Sequence, residues 1–448
     1  MARVVKRRWE ADLGSGLSRQ DRRACEYEAY VPDPLVGRRI TLDGDVAADV
    51  ADAESAIARL NAGAITLVDT EALARLLLRT ESVASSKIEG LEVGPRRLMR
   101  AEVARILGGP SGDVTADEVL GNIEAMSWAV DTLARREAVT VDGLLEIHRR
   151  LLASTRLAEH AGQIRTQQNW IGGSGYNPCS AAFVSPPHEE VQALLEDLCA
   201  FCNEDSLPAV AQAAIAHAQF ETIHPFIDGN GRTGRALIHV VLRRRGLAGR
   251  VLPPISLVLA TRADEYVAGL TATRYRGAAG SRSAHEGLNQ WIGRFAAAAS
   301  RSVADTGAFE ARVIEIQDAW RTRVGRIRAD SATDHLIRAL PGAPIVTVNG
   351  AGDLIGRSFQ QTNEAIARLV EGGVLAQVSI GRRNRAFEAA EIVDAFMDLE
   401  RQLASPEGDP EGRARRQLLS KVDRGELAPG TRRAQRGPRR RARYSMNW

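Results

Sequence analysis

The sequence predicts a mainly α-helical protein with one β-hairpin inserted among its helices and a small α+β unit towards the C-terminus. Three observations carry this expectation. Apolar residues recur at helical spacing from Val46 to about residue 320. Between 165 and 187 that period gives way to two short apolar runs set among glycines. From about 330 to 396 the order becomes helix, helix, helix, then two strands. A chain of 448 residues exceeds one ordinary core, so two or three domains are expected.

Residues 1–45 are charged and turn-rich, with Pro32, Pro34 and Gly37 breaking any long pattern, and form an N-terminal extension. Residues 46–113 are a helical region. In it Leu73, Leu76, Leu77 and Val83 line one helix over 70–88, which Gly90 closes and Gly94-Pro95 reinforces. A helical core follows over 114–300, with helices expected near 114–134, 140–153, 188–203, 208–222, 232–245 and 285–320. Its hairpin uses 169–173 and 181–184 and ends at Pro186-Pro187.

Residues 301–400 comprise a linker helix and the α+β unit. Helices at 335–340, 351–355 and 359–371 precede strands at 375–380 and 385–387, joined by a turn at Gly381. This is the order of a winged helix. Its separate hydrophobic pattern predicts a unit independent of the core. In the tail, 401–448, proline, glycine and arginine dominate, and a basic, disordered segment is expected.

Composition is ordinary for a soluble protein, with 44% apolar and 26% charged residues. The first sixteen residues lack the apolar stretch of a signal peptide, and no apolar run approaches the roughly 18 residues of a membrane span. A cytoplasmic protein with no membrane partner is the expectation. The net charge of +3 hides an asymmetry: 406–448 hold twelve Arg or Lys against five Asp or Glu, leaving the remainder slightly acidic. Four cysteines (Cys25, Cys179, Cys199 and Cys202) make no disulfide framework in so long a chain. Cys199 and Cys202 form a single CxxC with no partner pair or histidine to complete a zinc site, and read as half-buried helical thiols.

The most informative stretch is His224-Pro225-Phe226-Ile227-Asp228-Gly229-Asn230-Gly231-Arg232-Thr233-Gly234-Arg235. Pro225 stops an alanine-rich helix, a tight loop follows, and a new helix begins near Arg232. Backbone N–H groups at such a helix start converge on an anion, and Gly229, Gly231 and Gly234 let the backbone approach closely. Arg232 and Arg235 add guanidinium forks for phosphate oxygens. Asp228 supplies the single carboxylate that suits Mg²⁺ beside phosphates. His224 titrates near neutrality and can take a proton from an incoming hydroxyl. Base, magnesium ligand, phosphate cradle and two clamps describe transfer from a nucleoside triphosphate. Eight fixed positions at about one in twenty each coincide by chance on the order of 10⁻⁸ to 10⁻⁷ times in a chain this size. The chain has no GxxxxGK(S/T) loop.

This stretch resembles the signature HxFx(D/E)GNGRxxR of the Fic family and matches it without departure. The resemblance implies a helical Fic core with a β-hairpin flap, and a protein adenylyltransferase that moves AMP from ATP to a Ser, Thr or Tyr hydroxyl. His224 is then the base and Asp228 holds Mg²⁺ against the α- and β-phosphates. Gly229, Asn230 and Gly231 form the anion hole, Arg232 binds the phosphates, Arg235 clamps the γ-phosphate, and Phe226 anchors the loop. Upstream, Ser85-Ser86-Lys87-Ile88-Glu89-Gly90 resembles the family's inhibitory motif (S/T)xxxE(G/N). By that resemblance Glu89, sharing a helix face with Ser85, pairs with Arg235 and denies it to ATP. The hairpin, with Ile171, Gly172 and Gly173, resembles the flap that registers a target segment by strand addition.

The resemblance spans residues 25 to 400 or so and implies a partner protein bearing an acceptor hydroxyl, with self-modification and a homodimer left open. DNA contact through Gln360, Gln361, Asn363 and Arg368 of the third helix and Arg382, Arg383 and Arg385 of the wing is the weaker partner reading. His217 is expected to be a packed, hydrogen-bonded residue. His148, His160, His188, His239, His285 and His335 form no metal spacing. Two rival functions stay open: a DNA-binding regulator whose core senses nucleotide without turnover, and an adenylate-removing enzyme or other nucleotidyl or phosphoryl transferase on the same scaffold.

Overall fold

An alanine-rich segment, 209–223, lies at the centre of the protein. Small side chains with apolar character on every face suit a helix surrounded by others, and all of its residues are buried. The computed structural model describes residues 1–11, 17–63, 70–106, 108–109, 111–380 and 384–404.

In chain order the helices are α1 (Gly44–Gly63), α2 (Thr70–Ile88), α3 (Pro95–Ile106), α4 (Val114–Asp131), α5 (Val141–Leu152), α6 (His188–Cys202), the central α7 (Ala209–Ile223), α8 (Asn230–Arg244), α9 (Ile255–Thr261), α10 (Ala263–Ala272), the long α11 (Arg282–Val324), α12 (Ala332–Ala339), α13 (Val348–Ile355), α14 (Phe359–Glu371) and α15 (Ala390–Ala404). Side-chain caps begin several of them. Asp113 accepts from the Ala116 N–H at 3.1 Å, Thr140 from Gly143 at 3.1 Å and Ser281 from Ala284 at 3.3 Å. The main core joins α1, α4–α8 and α11, with Phe201, Phe220, Phe226, Trp291 and Phe295 fully covered. Trp291 donates its indole N–H to the Ala214 carbonyl at 2.7 Å, fixing α11 to α7.

The N-terminal extension differs from expectation. It contains an antiparallel hairpin of β1 (Arg3–Trp9) and β2 (Cys25–Val31), in which Lys6 faces Glu28, Arg8 faces Glu26 and Trp9 faces Cys25. Its charges complement each other across the strands rather than marking a loop. Cys25 is disulfide-bonded to Cys179, 154 residues away, with Cα atoms 5.7 Å apart. Cys199 and Cys202 are free and buried in α6. The inserted hairpin is β3 (Trp170–Ile171) with β4 (Phe183–Val184), where Trp170 pairs with Val184 and Ile171 with Phe183.

Near the C-terminus, β5 (Ile345–Thr347), β6 (Ala376–Ile380) and β7 (Asn384–Glu388) form an antiparallel sheet of order β5-β7-β6 beside α12–α14. A capping box between Ser358 and Gln361 starts α14. Gly381, Arg382, Arg383 and the basic tail from 405 lie outside the described residues. This unit is not independent of the rest. Leu76 and Ala84 of α2 and Leu257 of α9 share one hydrophobic cluster with Trp320, Leu336, Ile366, Ile392 and Phe396. Arg96 of α3 also reaches Glu388 of β7 at 3.2 Å. The helical period of α2 has apolar residues on two faces, so it is clamped between the core and this unit. Among the described residues no helix is long and apolar enough to cross a membrane.

Candidate active site

The site is the loop from α7 to α8. His224 caps α7 in the left-handed region at φ 48°, unusual for a residue with a side chain, and Pro225 forbids another helical turn. The surroundings hold this conformation. Buried Arg165 donates to the His224 carbonyl at 2.8 Å, to the Pro186 carbonyl at 2.6 Å and to the Gln167 carbonyl at 2.8 Å. Asn230 clips the loop shut, its amide donating to the Phe226 carbonyl at 2.9 Å and its oxygen accepting the Phe226 N–H at 2.8 Å. Phe226 is buried in the core, its ring stacked 3.7 Å from that of His148. His148 accepts the Gly162 N–H on Nδ1 at 3.0 Å, so Nε2 carries the proton and donates to the Asp228 carbonyl at 3.0 Å.

Arg165 and His148 were not singled out from the sequence. Arg165 lies 59 residues before His224 and carries no local pattern, and His148 stands out in the sequence only as a histidine without metal spacing. His217 is the packed residue expected, with Nε2 2.7 Å from the Tyr266 hydroxyl.

Burial, with Arg165 and Arg274 nearby, pushes His224 down to about 3, so the imidazole is neutral at physiological pH. Its Nδ1 is buried without a hydrogen-bond partner among the described residues. Opposite it, Gly229 starts α8 at φ 76°, and the first turn of α8 leaves N–H groups without intrahelical acceptors. Arg232 donates from Nη2 to Asp228 Oδ2 at 3.1 Å, while its Nε and Nη1 are buried with no partner among the described residues. Unmatched guanidinium donors beside a helix N-terminus and one half-exposed carboxylate fit phosphates with a single bound Mg²⁺. Among the described residues no group of three or more His, Cys, Asp or Glu is arranged to hold a metal by protein ligands alone.

Arg235, 1% exposed, points from α8 towards α2. It donates to Ser85 Oγ at 2.8 Å, to the Ser85 carbonyl at 2.7 Å and to Glu89 Oε1 at 2.6 Å. Burial is the largest single influence and works against its charge, but Glu89, Tyr266 and Glu221 together raise the pKa above the ordinary arginine value. Gly231 makes room for the pair, because a Cβ there would stand 1.9 Å from Glu89 Oε1. Two turns earlier on α2, buried Glu81 accepts from His239 Nε2 at 2.8 Å and from the Ser256 N–H at 2.8 Å, a second tie between α2 and α8.

Residues 138–242 match the Fic/DOC family, and residues 47–131 match the N-terminal region of that family. The candidate loop lies inside the first of these matched stretches. Protein adenylyltransferase fic-1 of Caenorhabditis elegans is 36% identical over 155 residues, 34% of this chain and 28% of that protein. Protein adenylyltransferase Fic of Drosophila willistoni is 34% identical over 140 residues, 31% of this chain and 26% of its own length. The chain thus spans under a third of these curated relatives. A solved Fic family protein from Desulfovibrio desulfuricans aligns over 79% of this chain and 98% of its own, with 20% identity and a TM-score of 0.48.

Beside the candidate loop lies the inserted hairpin. Gly172 and Gly173 turn the chain at φ 75° and 78°, and Ile171 lines a cavity of about 550 Å³. The same cavity is walled by Tyr27 and Tyr30 of β2, Phe183 of β4, Leu270 of α10, Glu221 and Arg274. Glu221 is buried with Oε1 unpartnered among the described residues, and burial, against the pull of Arg235, raises it to about 7. The Arg274 guanidinium lies 3.6 Å over the Phe183 ring. Glu221 and Arg274 lie outside the signature and were not singled out from the sequence.

Proposed function

We propose that the protein is an adenylyltransferase that moves AMP from ATP to a Ser, Thr or Tyr hydroxyl of a protein, restrained by Glu89. The observation that carries this reading is the anion-seeking half of the loop. Arg232 has two buried, unpartnered donors, and they flank a helix start and a neutral histidine with a free nitrogen. The names of the curated relatives point the same way.

In this reading the triphosphate lies along the start of α8, against Gly229, Asn230, Gly231 and Arg232, with Gly234 keeping the helix clear. His224 takes the proton of the acceptor hydroxyl as its oxygen attacks the α-phosphorus, and pyrophosphate leaves with the electrons of the broken P–O bond. Mg²⁺ held by Asp228 would neutralise phosphate charge. Arg165 and His148 keep the His224–Asp228 loop in one geometry, so the positioning cost is met before substrate binds. Arg235 clamps the γ-phosphate only after leaving Glu89, and the flap residues Ile171, Gly172 and Gly173 receive the acceptor segment by strand pairing.

The acceptor is a protein of the cytoplasm or a second copy of this chain. We read the C-terminal unit as a winged helix that serves docking rather than DNA. Arg368 of α14 already donates to the Arg326 carbonyl at the end of α11, and Gln360 is tied to Glu364 at 3.1 Å. The test is incubation with each nucleoside triphosphate labelled at the α-phosphate, with and without Glu89→Gly. Label from ATP appearing in protein, and lost in His224→Ala, supports the reading. Retention of label by His224→Ala, or label arriving only from the γ-phosphate, would replace it with a different transfer.

A further inference from the structure

The flap pairs through only two residues on each strand, too little to hold its own shape in water. What fixes it is the N-terminal hairpin. Asn177 donates to the Asp21 carbonyl at 2.6 Å, Ser174 donates to Asp21 Oδ1 at 2.7 Å, and Trp9 sets its ring edge-on to Trp170 at 5.3 Å. These contacts are reversible and half-exposed. The one covalent link is Cys25–Cys179, whose halves sit on β2 directly opposite Trp9 and in the flap between its two strands.

We propose that Cys25 and Cys179 form a thiol–disulfide exchange site that fastens the N-terminal hairpin to the flap, so that a small thiol or a dithiol reductant sets how well the flap receives an acceptor segment. Both residues are half-exposed, and an external thiolate can reach them. The remaining two cysteines do not compete: burial pushes the Cys199 thiol up to about 12 and raises Cys202 as well. In a reducing compartment a pair of this kind exchanges rather than persisting.

The chemistry balances with the reductant named. An external thiolate attacks one sulfur of the Cys25–Cys179 bond, that bond breaks, and the departing sulfur leaves as a thiolate that takes up a proton. A second thiol resolves the mixed disulfide. Two electrons pass to the protein, two cysteine thiols result, and the two reductant thiols end as a disulfide. Once freed, the flap keeps only its non-covalent contacts. β2, which walls the cavity with Tyr27 and Tyr30, is then no longer bonded to it.

The consequence for turnover rests on the transferase reading, whereas the exchange itself and the ordering of the flap do not. The full-length protein is therefore equilibrated in dithiothreitol buffers of stepped reduced-to-oxidised ratio and read by non-reducing peptide mapping and by amide hydrogen exchange. The expected result is a Cys25–Cys179 linked peptide that titrates with the buffer. Exchange at 170–184 should rise about tenfold or more on reduction while α7 and α8 are unchanged. Cys25→Ser should behave as the reduced protein in every buffer. Absence of the linked peptide at all ratios, or a linked peptide with the same flap exchange in both states, would overturn the proposal. If Cys25→Ser fails to fold, the wild-type titration alone still decides between these outcomes. Failure of the transferase reading would show instead as absence of label with the exchange result intact.

Discussion

Arg235 Nη2 lies 2.6 Å from Glu89 Oε1, joining helices α8 and α2 across 146 residues in a setting where the arginine is 1% and the glutamate 11% exposed. A charge-assisted bond so far from water contributes roughly 1.5–3 kcal/mol, about ten- to a hundredfold in population. Glu89→Gly should therefore label itself ten- to a hundredfold more strongly than the wild type, measured by transfer from α-labelled ATP. Arg235→Ala should stay dark with or without Glu89, because the clamp itself is gone. Equal labelling by Glu89→Gly and wild type, with folding confirmed, would remove the inhibitory role from Ser85, Glu89 and Gly90.

His224 and Arg165 should separate into chemistry and positioning. His224→Ala should lose about 10²–10⁴-fold in transfer while binding ATP normally by calorimetry. Arg165→Met should lower kcat by about 10²-fold, since the His224 carbonyl is then free to shift, with little change in the KM for ATP. An Arg165→Met enzyme with normal kcat would show that the left-handed turn at His224 holds itself.

Asp228→Ala should abolish the magnesium dependence of nucleotide binding, followed by calorimetry with and without the ion. It also breaks the 3.1 Å pair to Arg232, so metal-free nucleotide should bind at least as well as before. An unchanged magnesium titration would take Asp228 out of the metal site.

Stability should fall as the pH drops below about 6.5. Burial lowers His148 to about 4 and both His217 and His224 to about 3 in the folded protein. Between those values and an unfolded value of about 6.5, the unfolded chain binds more protons, so acid favours unfolding. Glu221, raised to about 7, acts in the opposite sense: its contribution is present at low pH and fades as the pH rises through 7. Three histidines against one carboxyl set the net direction. A melting temperature at pH 5 equal to or above that at pH 7 would contradict this.

Truncation at about residue 325 should loosen the brake. It strips cover from Leu76, Ala84 and Leu257, which share a cluster with the C-terminal unit. Exposing a leucine side chain costs about 1.5–3 kcal/mol where burial was complete, and the alanine adds less. The truncated protein should melt earlier and label itself more than the full chain. Equal melting and equal labelling would show that α2 needs no brace from that side.

The sequence was most legible where chemistry demands neighbours in the chain. His224 to Arg235 form a continuous loop and helix start, and the structure brings Ser85, Glu89 and Arg235 together at hydrogen-bond distance. Helical periodicity located α2, α4–α8 and α14 closely, because one-sided burial leaves a strong 3.6-residue pattern. The short helices α9 and α10 escaped notice, being too brief to show a period. The N-terminal hairpin escaped because its alternation is written in charge pairs, Lys6 with Glu28 and Arg8 with Glu26, that resemble loop composition until the strands are aligned.

By itself, then, the sequence determined the helical class and the glycine-rich loop with its histidine, since each is specified by residues close in the chain, while the carboxylate expected to meet Arg235 came from a resemblance rather than from local pattern. Tertiary structure alone decided the rest. Arg165 reaches the His224 carbonyl from 59 residues away, Cys25 meets Cys179 across 154, and Leu76 of α2 joins the C-terminal cluster. Such contacts arise when helices pack around α7, and local periodicity carries no record of which distant surface will cover which face.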